Sequence, residues 1–196
     1  DKKKDAEAKK RKEEKKRLAA IKKEARKQLS ERGIEKDRYD ALLLNAVQED
    51  DSELVQLLIL AGADVNTETS NGVPPIFIAA DRGANACLEL LIAANADVNK
   101  KAEDSGMTAL GAAVIRGDVS SVKLLLSAPG IRVNQSSAGM APLISAAWQG
   151  YTECVALLLE AGASVHSSYS GMTPYQVARY RGNYACADLI QQAGGK

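Results

Sequence analysis

Aromatic side chains are scarce in this chain: one Trp, one Phe and six Tyr make up 4% of its 196 residues. A single His and three Cys leave little from which to build a zinc site. No Gly-x-Ser-x-Gly elbow and no phosphate-cradling Gly-rich loop occurs. The Asp and Glu residues beyond position 36 are scattered rather than paired. No catalytic constellation is visible, so we expect a non-enzymatic protein without a cofactor. Five Pro and fifteen Gly are too few for a collagenous or low-complexity chain. The apolar runs fall far short of the roughly 20 residues of a membrane helix, and no apolar leader core is present. The chain begins at Asp1 rather than Met, which we expect to mark a trimmed piece of a longer one.

What is present is ordinary for a globular protein: 45% hydrophobic and 26% charged residues. The net charge of +1 hides an asymmetry. Residues 1–36 hold 16 Lys/Arg and 8 Asp/Glu, a balance of +8, and residues 37–196 hold 10 and 17, a balance of −7. This marks a boundary between a charged arm, 1–36, and a mildly acidic body, 37–196. The arm is rich in Lys, Arg, Glu and Ala, all good helix formers. Leu18, Ile21, Ala25 and Leu29 recur at helical spacing and form one stripe. Gly33 follows as a stop. These signals predict one helix over about 5–31 whose C-terminal half lays its stripe on the body. The arm then acts as a cap or spacer. Its interspersed acids weaken a basic field, so nucleic acid and anionic lipid are not the expected partners.

The body repeats itself. Ala61-Gly62-Ala63-Asp64-Val65-Asn66 returns as Ala94-Asn95-Ala96-Asp97-Val98-Asn99, then as Gly130-Ile131-Arg132-Val133-Asn134 and Ala161-Gly162-Ala163-Ser164-Val165-His166. Each copy follows an apolar run such as Leu57-Leu58-Ile59. Gly72, Gly106, Gly139 and Gly171 recur at steps of 34, 33 and 32. Asp50, Gly83, Gly117, Gly150 and Gly182 recur at 33, 34, 33 and 32. Within a unit, a short helix, a tight turn, a longer helix and a Gly-Ala-Asp-type loop succeed one another. The units fall at about 37–70, 71–104, 105–137, 138–169 and 170–196. Such a unit cannot bury its apolar face alone, so the units must stack. Gln191 replaces the Ile59, Ile92, Leu126 and Leu159 of earlier units, which marks the fifth unit as a terminal cap.

This pattern resembles the ankyrin repeat family across residues 37–196. The family's Thr-Pro-Leu-His opening appears as Thr173-Pro174-Tyr175-Gln176, Thr108-Ala109-Leu110-Gly111, Ala141-Pro142-Leu143-Ile144 and Pro74-Pro75-Ile76-Phe77. The resemblance implies an all-α solenoid of helix-turn-helix units with β-turn tips. The family's His is absent from every unit, so its hydrogen bond must be replaced. Pro129 adds a residue to the third unit's loop, which should bulge. Cys87, Cys154 and Cys186 share one position on the second helix, where the first unit has Leu54. Stacked helices lie about 10 Å apart, too far for a disulfide. These Cys should remain reduced and act as small hydrophobes. A reducing compartment such as the cytoplasm fits, and a periplasmic one stays open if a leader was trimmed.

The resemblance also implies that partners dock on the concave side, on the turn tips and first helices. Carried over position by position, the row after each tip Gly is Val73, Met107, Met140 and Met172. The first-helix row holds Asp81, Ile115, Trp148 and Tyr180, flanked by Arg82, Arg116 and Arg181. Tyr169 lies near the last tip. The candidate partner-binding residues are therefore Met107, Met140, Met172, Ile115, Trp148, Tyr180, Arg82, Arg116, Arg181 and Tyr169. Met, Trp, Tyr and Arg are the side chains enriched at interfaces. The competing reading packs these apolar residues against neighbouring turns. His166, alone in its loop, is expected to be structural. Asn66, Asn99 and Asn134 are similar in position to loop asparagines that are hydroxylated in animal members.

Three functions compete. The first is a scaffold that binds a protein or peptide on the concave face as a monomer. The second is a structural protein that associates weakly with itself through residues 1–36. The third is a regulatory module cut from a larger protein.

Overall fold

The computed structural model describes residues 2–196, and side chains from Ala6 onwards. A long helix, α1 (Lys2–Glu31), opens the chain. A short 3-10 turn (Lys36–Arg38) leads into ten further helices, and no named strand occurs among the described residues. They form five hairpins: α2 (Tyr39–Gln48) with α3 (Ser52–Ala61), α4 (Pro75–Arg82) with α5 (Asn85–Ala93), and α6 (Ala109–Arg116) with α7 (Val119–Ser127). They continue with α8 (Pro142–Gln149) and α9 (Thr152–Glu160), then α10 (Pro174–Arg181) and α11 (Tyr184–Gln192).

Local chemistry sets these boundaries. Pro opens α4, α8 and α10, where its missing N–H costs nothing. Thr108 accepts from the Gly111 amide at the start of α6, and Asp118 accepts from Ser120 and Ser121 at the start of α7. Thr173 and Gln176 form a reciprocal capping box on α10. Left-handed residues end the first helices: Gly83, Gly117, Gly150 and Gly182, with φ between 68° and 79°. Asp50 takes that conformation in the first hairpin at φ 57°. The α7 end differs from the others: Ala128 is extended (φ −71°, ψ 136°) before Pro129, and Gly130 turns the chain at φ 76°.

First helices stack in one layer (α2, α4, α6, α8, α10) and second helices in another (α3, α5, α7, α9, α11). Between the layers lies one continuous core. Its fully buried Leu58, Leu91, Leu125 and Leu158 recur once per unit. Each contributes about 1.5–3 kcal/mol on leaving water, and it does so against its neighbours, so stacking is obligatory. The last unit has Ile190 there, fully buried, while Gln191 faces water.

The turn tips pair locally through bridges Lys101–Thr108, Ser137–Met140 and Tyr169–Met172. Successive tips are also tied: Glu103 N–H donates to the Gly72 carbonyl (3.0 Å) and Ala138 N–H to that of Gly106 (3.1 Å).

The α1 stripe reaches the body only in part. Ala25 and Leu29 are buried, but Leu18 is 63% and Ile21 40% exposed. The expectation that all four cover the first unit is corrected here. The reason is geometric: α1 lies along α3 and passes its C-terminus at Lys22 and Arg26. Arg26 Nε donates to the Ala61 carbonyl (2.9 Å), which satisfies an end of α3 and complements its dipole. Leu18 lies beyond that end, with nothing to cover it. Ile21 lines an open cleft of about 470 Å³ with Leu57 and Leu60.

Candidate partner-binding face

Ile115, Trp148 and Tyr180 stand at one equivalent position on α6, α8 and α10, which pack successively. Ile115 is 39% and Tyr180 73% exposed. Trp148 is half-buried and packs on the core. The Arg181 guanidinium lies over its ring, 4.6 Å from the centroid, and Arg181 Nε donates to the Trp148 carbonyl (3.4 Å). Asn183 donates to the Ala147 (2.8 Å) and Trp148 (3.0 Å) carbonyls, which fixes the end of α8. Trp148 is thereby held rigidly between its own core and one cation.

The flanking Arg82 and Arg116 are exposed, and among the described residues neither forms an ion pair. Each ends a first helix, where its charge complements the dipole. At the tips, Met107, Met140 and Met172 are half-buried. Met140 and Met172 pack on the core, so they present part of their surface and support the tip with the rest. Tyr169 is 37% exposed beside Met172. The row thus divides: Tyr180, Ile115 and Tyr169 face water, while Trp148 and the methionines are shared between surface and core. One further pair lay outside the sequence reading. Arg179 lies over Tyr184, 5.1 Å from the ring centroid, across the α10–α11 hairpin. Both side chains are exposed. No repeat-wide pattern signals this pair, because only the last unit carries it.

The loop asparagines have a structural task. Asn66 Oδ1 accepts from the Asp97 amide (2.8 Å), Asn99 Oδ1 from Arg132 (2.8 Å) and Asn134 Oδ1 from Ser164 (2.7 Å). Asp40 Oδ1 begins the same ladder by accepting from the Asp64 amide (2.8 Å). Each asparagine rung ties one unit to the next, while the Asp40 bond lies within the first unit. His166 takes the next position of this row, in the fourth unit, and is exposed.

Cys87, Cys154 and Cys186 are buried and free. Burial, with a hydrogen bond from its Sγ to Asp50 Oδ1 (3.4 Å), pushes the Cys87 thiol up to about 12. Burial raises Cys154 as well. In the third unit this position is Ser121, also buried, whose hydroxyl bridges Asn85 Oδ1 (2.8 Å) and Asp118 Oδ2 (2.7 Å). The row is a polar-tolerant packing position, not a redox centre. Among the described residues no group of three or more His, Cys, Asp or Glu is placed to hold a metal. No helix there is long and apolar enough to cross a membrane.

Stacked helical hairpins with bonded turn tips and an asparagine ladder define a helical-repeat solenoid. The chain belongs to the ankyrin repeat family: the model for ankyrin repeats (3 copies) matches residues 43–137 and 116–195. Members of this family are generally protein–protein interaction modules and typically non-enzymatic. The chain is also similar to dynein axonemal heavy chain 12 of Bos taurus, 36% identical over 166 residues. That alignment takes in 64% of this chain and 46% of the bovine protein, so the chain spans about half the length of that relative.

Proposed function

We propose that the first-helix and turn-tip face of units three to five binds a protein or peptide partner, without covalent chemistry. The observation that carries this reading is Trp148 pinned beneath Arg181, between exposed Ile115 and Tyr180 on the neighbouring helices. A large, rigid aromatic loses little entropy on binding, and such residues dominate interface energetics. Met107, Met140 and Met172 at the tips add an adaptable apolar rim. Arg82, Arg116 and Arg181 add planar forks for carboxylates. A partner with an apolar anchor and acidic flanks fits this chemistry. On the first unit the equivalent turn carries Gln48 and Glu49 instead, so the face weakens towards the N-terminus.

The test is affinity capture with the wild-type chain beside a Met140→Ser/Trp148→Ser/Tyr180→Ser variant. Circular dichroism first establishes that the variant keeps its helix. A protein held by the wild type and lost by the folded variant supports this face. A protein held equally by both moves the site to α1 or the second-helix layer.

A second reading rests on the exposed Leu18 and Ile21 of α1, which offer a contact to a second copy. A mass that rises with concentration and falls to the monomer when residues 1–30 are removed would support self-association.

A further inference from the structure

Composition makes the arm look like a mixture of charges, but its continuity as one helix sorts them. Each residue of α1 advances about 100° around the axis. On that phase every Lys and Arg from Lys9 to Lys27, other than Lys10 and Arg17, falls within one arc of roughly 160°. From Ala6 onwards no acid falls in that arc. Glu7, Glu13, Glu14, Glu24 and Glu31 all lie on the opposite half. Among the described residues only Arg11 and Lys27 of this helix form ion pairs, with Glu7 (3.4 Å) and Glu31 (3.7 Å). The field is therefore not cancelled but segregated.

The cations form two rows. Arg11, Lys15 and Lys22 follow one edge of the arc, and Lys9, Lys16 and Lys23 follow the other. Ala8, Ala19 and Lys12 lie on the line between them. All these side chains are exposed, but Lys22 lies over Gly62 at the end of α3, where α1 leaves the body, so the free stretch before it offers Arg11 and Lys15 in one row and Lys9 and Lys16 in the other. We infer that this face of α1 binds duplex DNA, seated in the major groove with its two cation rows on the two phosphate backbones.

The shape selects this occupant. A flat anionic membrane meets only a narrow arc of a helix. Between Ala6 and Arg17 no side chain more apolar than Ala is available to insert into lipid. A single strand is held by stacking on aromatic rings, and α1 has none. The major groove of A-form RNA is deep and narrow, whereas that of B-DNA admits an α-helix. The central line carries Ala8, Ala19 and a single Lys12, whose ammonium is the one group there able to donate to a base edge, so the phosphate contacts dominate and sequence preference is weak. This is independent of the partner-binding face on α6, α8 and α10.

The probe is a fluorescein-labelled 20-base-pair DNA duplex of mixed sequence, titrated with the full chain and read by anisotropy. Contact with about four phosphates predicts a slope of about −4 for log affinity against log salt. Lys15→Glu/Lys16→Glu reverses one cation in each row. It should weaken binding by about 10²-fold at 50 mM salt, from two lost phosphate contacts. Lys10→Glu/Arg17→Glu changes the net charge equally, but on the acidic half. It should leave affinity within about fivefold, since no phosphate contact is removed. Far-UV circular dichroism checks that both variants remain helical. Equal losses in the two variants would mean that only net charge matters and would overturn the face. So would the absence of wild-type binding at 50 mM salt. Tighter binding to phosphatidylserine vesicles, or to the matching RNA duplex, would assign the face to that ligand and overturn the DNA proposal.

Discussion

Arg181 lies over the ring of Trp148, 4.6 Å from its centroid, and also donates to the Trp148 carbonyl. The two residues belong to consecutive units, so the Arg181 side chain senses the position of the preceding unit. Arg181→Ala removes a cation–π contact at a partly exposed site, which contributes about 0.5–1 kcal/mol. Because this is the chain's one Trp, its emission reports the change directly. We expect a shift to longer wavelength as water reaches the ring, and a urea midpoint lowered by the same small amount. An unshifted emission spectrum would mean that the stack does not shield the indole.

The asparagine ladder makes a sharper stability prediction. Asn99 accepts from the Arg132 amide and donates to the Gly130 carbonyl (2.9 Å), and its own carbonyl accepts from Gln135 (3.0 Å). Asn99→Ala removes both side-chain bonds and should cost about 1–3 kcal/mol, at roughly 1 ± 0.5 each. His166→Ala, in the fourth unit of the same row, should fall within about 0.5 kcal/mol of wild type. Urea unfolding of the two variants side by side measures the difference. Equal effects would show that the ladder contributes nothing beyond loop propensity.

The repeat was legible because left-handed turns need Gly. Gly83, Gly117, Gly150 and Gly182 announce their own φ, and their spacing sets the period. The loop asparagines were visible as a motif, but not as staples, because their partners lie about 30 residues away on the next unit. Ser121 was missed in the cysteine row because its chemistry differs, although its burial is the same. The stripe on α1 was read correctly as a face, yet Leu18 and Ile21 remain exposed. A stripe gives the azimuth of a helix, not how far its neighbour extends, and α3 ends at Ala61. The charge segregation on α1 went unread because the charges of the arm were summed rather than placed around the helix that its sequence predicts.

Gly111 carries a prediction opposite to helix propensity. It sits inside α6, where Gly→Ala ordinarily gains about 1 kcal/mol. Here a Cβ would run into the Ser137 hydroxyl, which accepts from the Thr108 amide (3.0 Å) in a buried setting. Gly111→Ala should therefore destabilise by about 1–3 kcal/mol, the usual cost of overpacking. A thermal melt that rises instead would show that the tip of the fourth unit yields without cost.

The buried thiols should make stability fall at high pH. Cys87 is pushed from its ordinary 9.0 up to about 12 by burial and by the Asp50 carboxylate beside it. The folded state therefore keeps its proton after the unfolded state has lost it. Stability from this group is complete below about pH 9 and is lost as the pH rises towards 12, since the unfolded chain binds fewer protons in that window. At pH 8 the native thiol is protonated and enclosed, so Ellman's reagent should modify it only as fast as the chain opens. Replacing Cys87 with Ala should flatten the decline of the urea midpoint between pH 9 and pH 11 relative to wild type. The neutral-pH midpoint should fall modestly, because a small hydrophobe is lost. Rapid native labelling of Cys87 at pH 8 would mean that the second helix of the second unit opens locally.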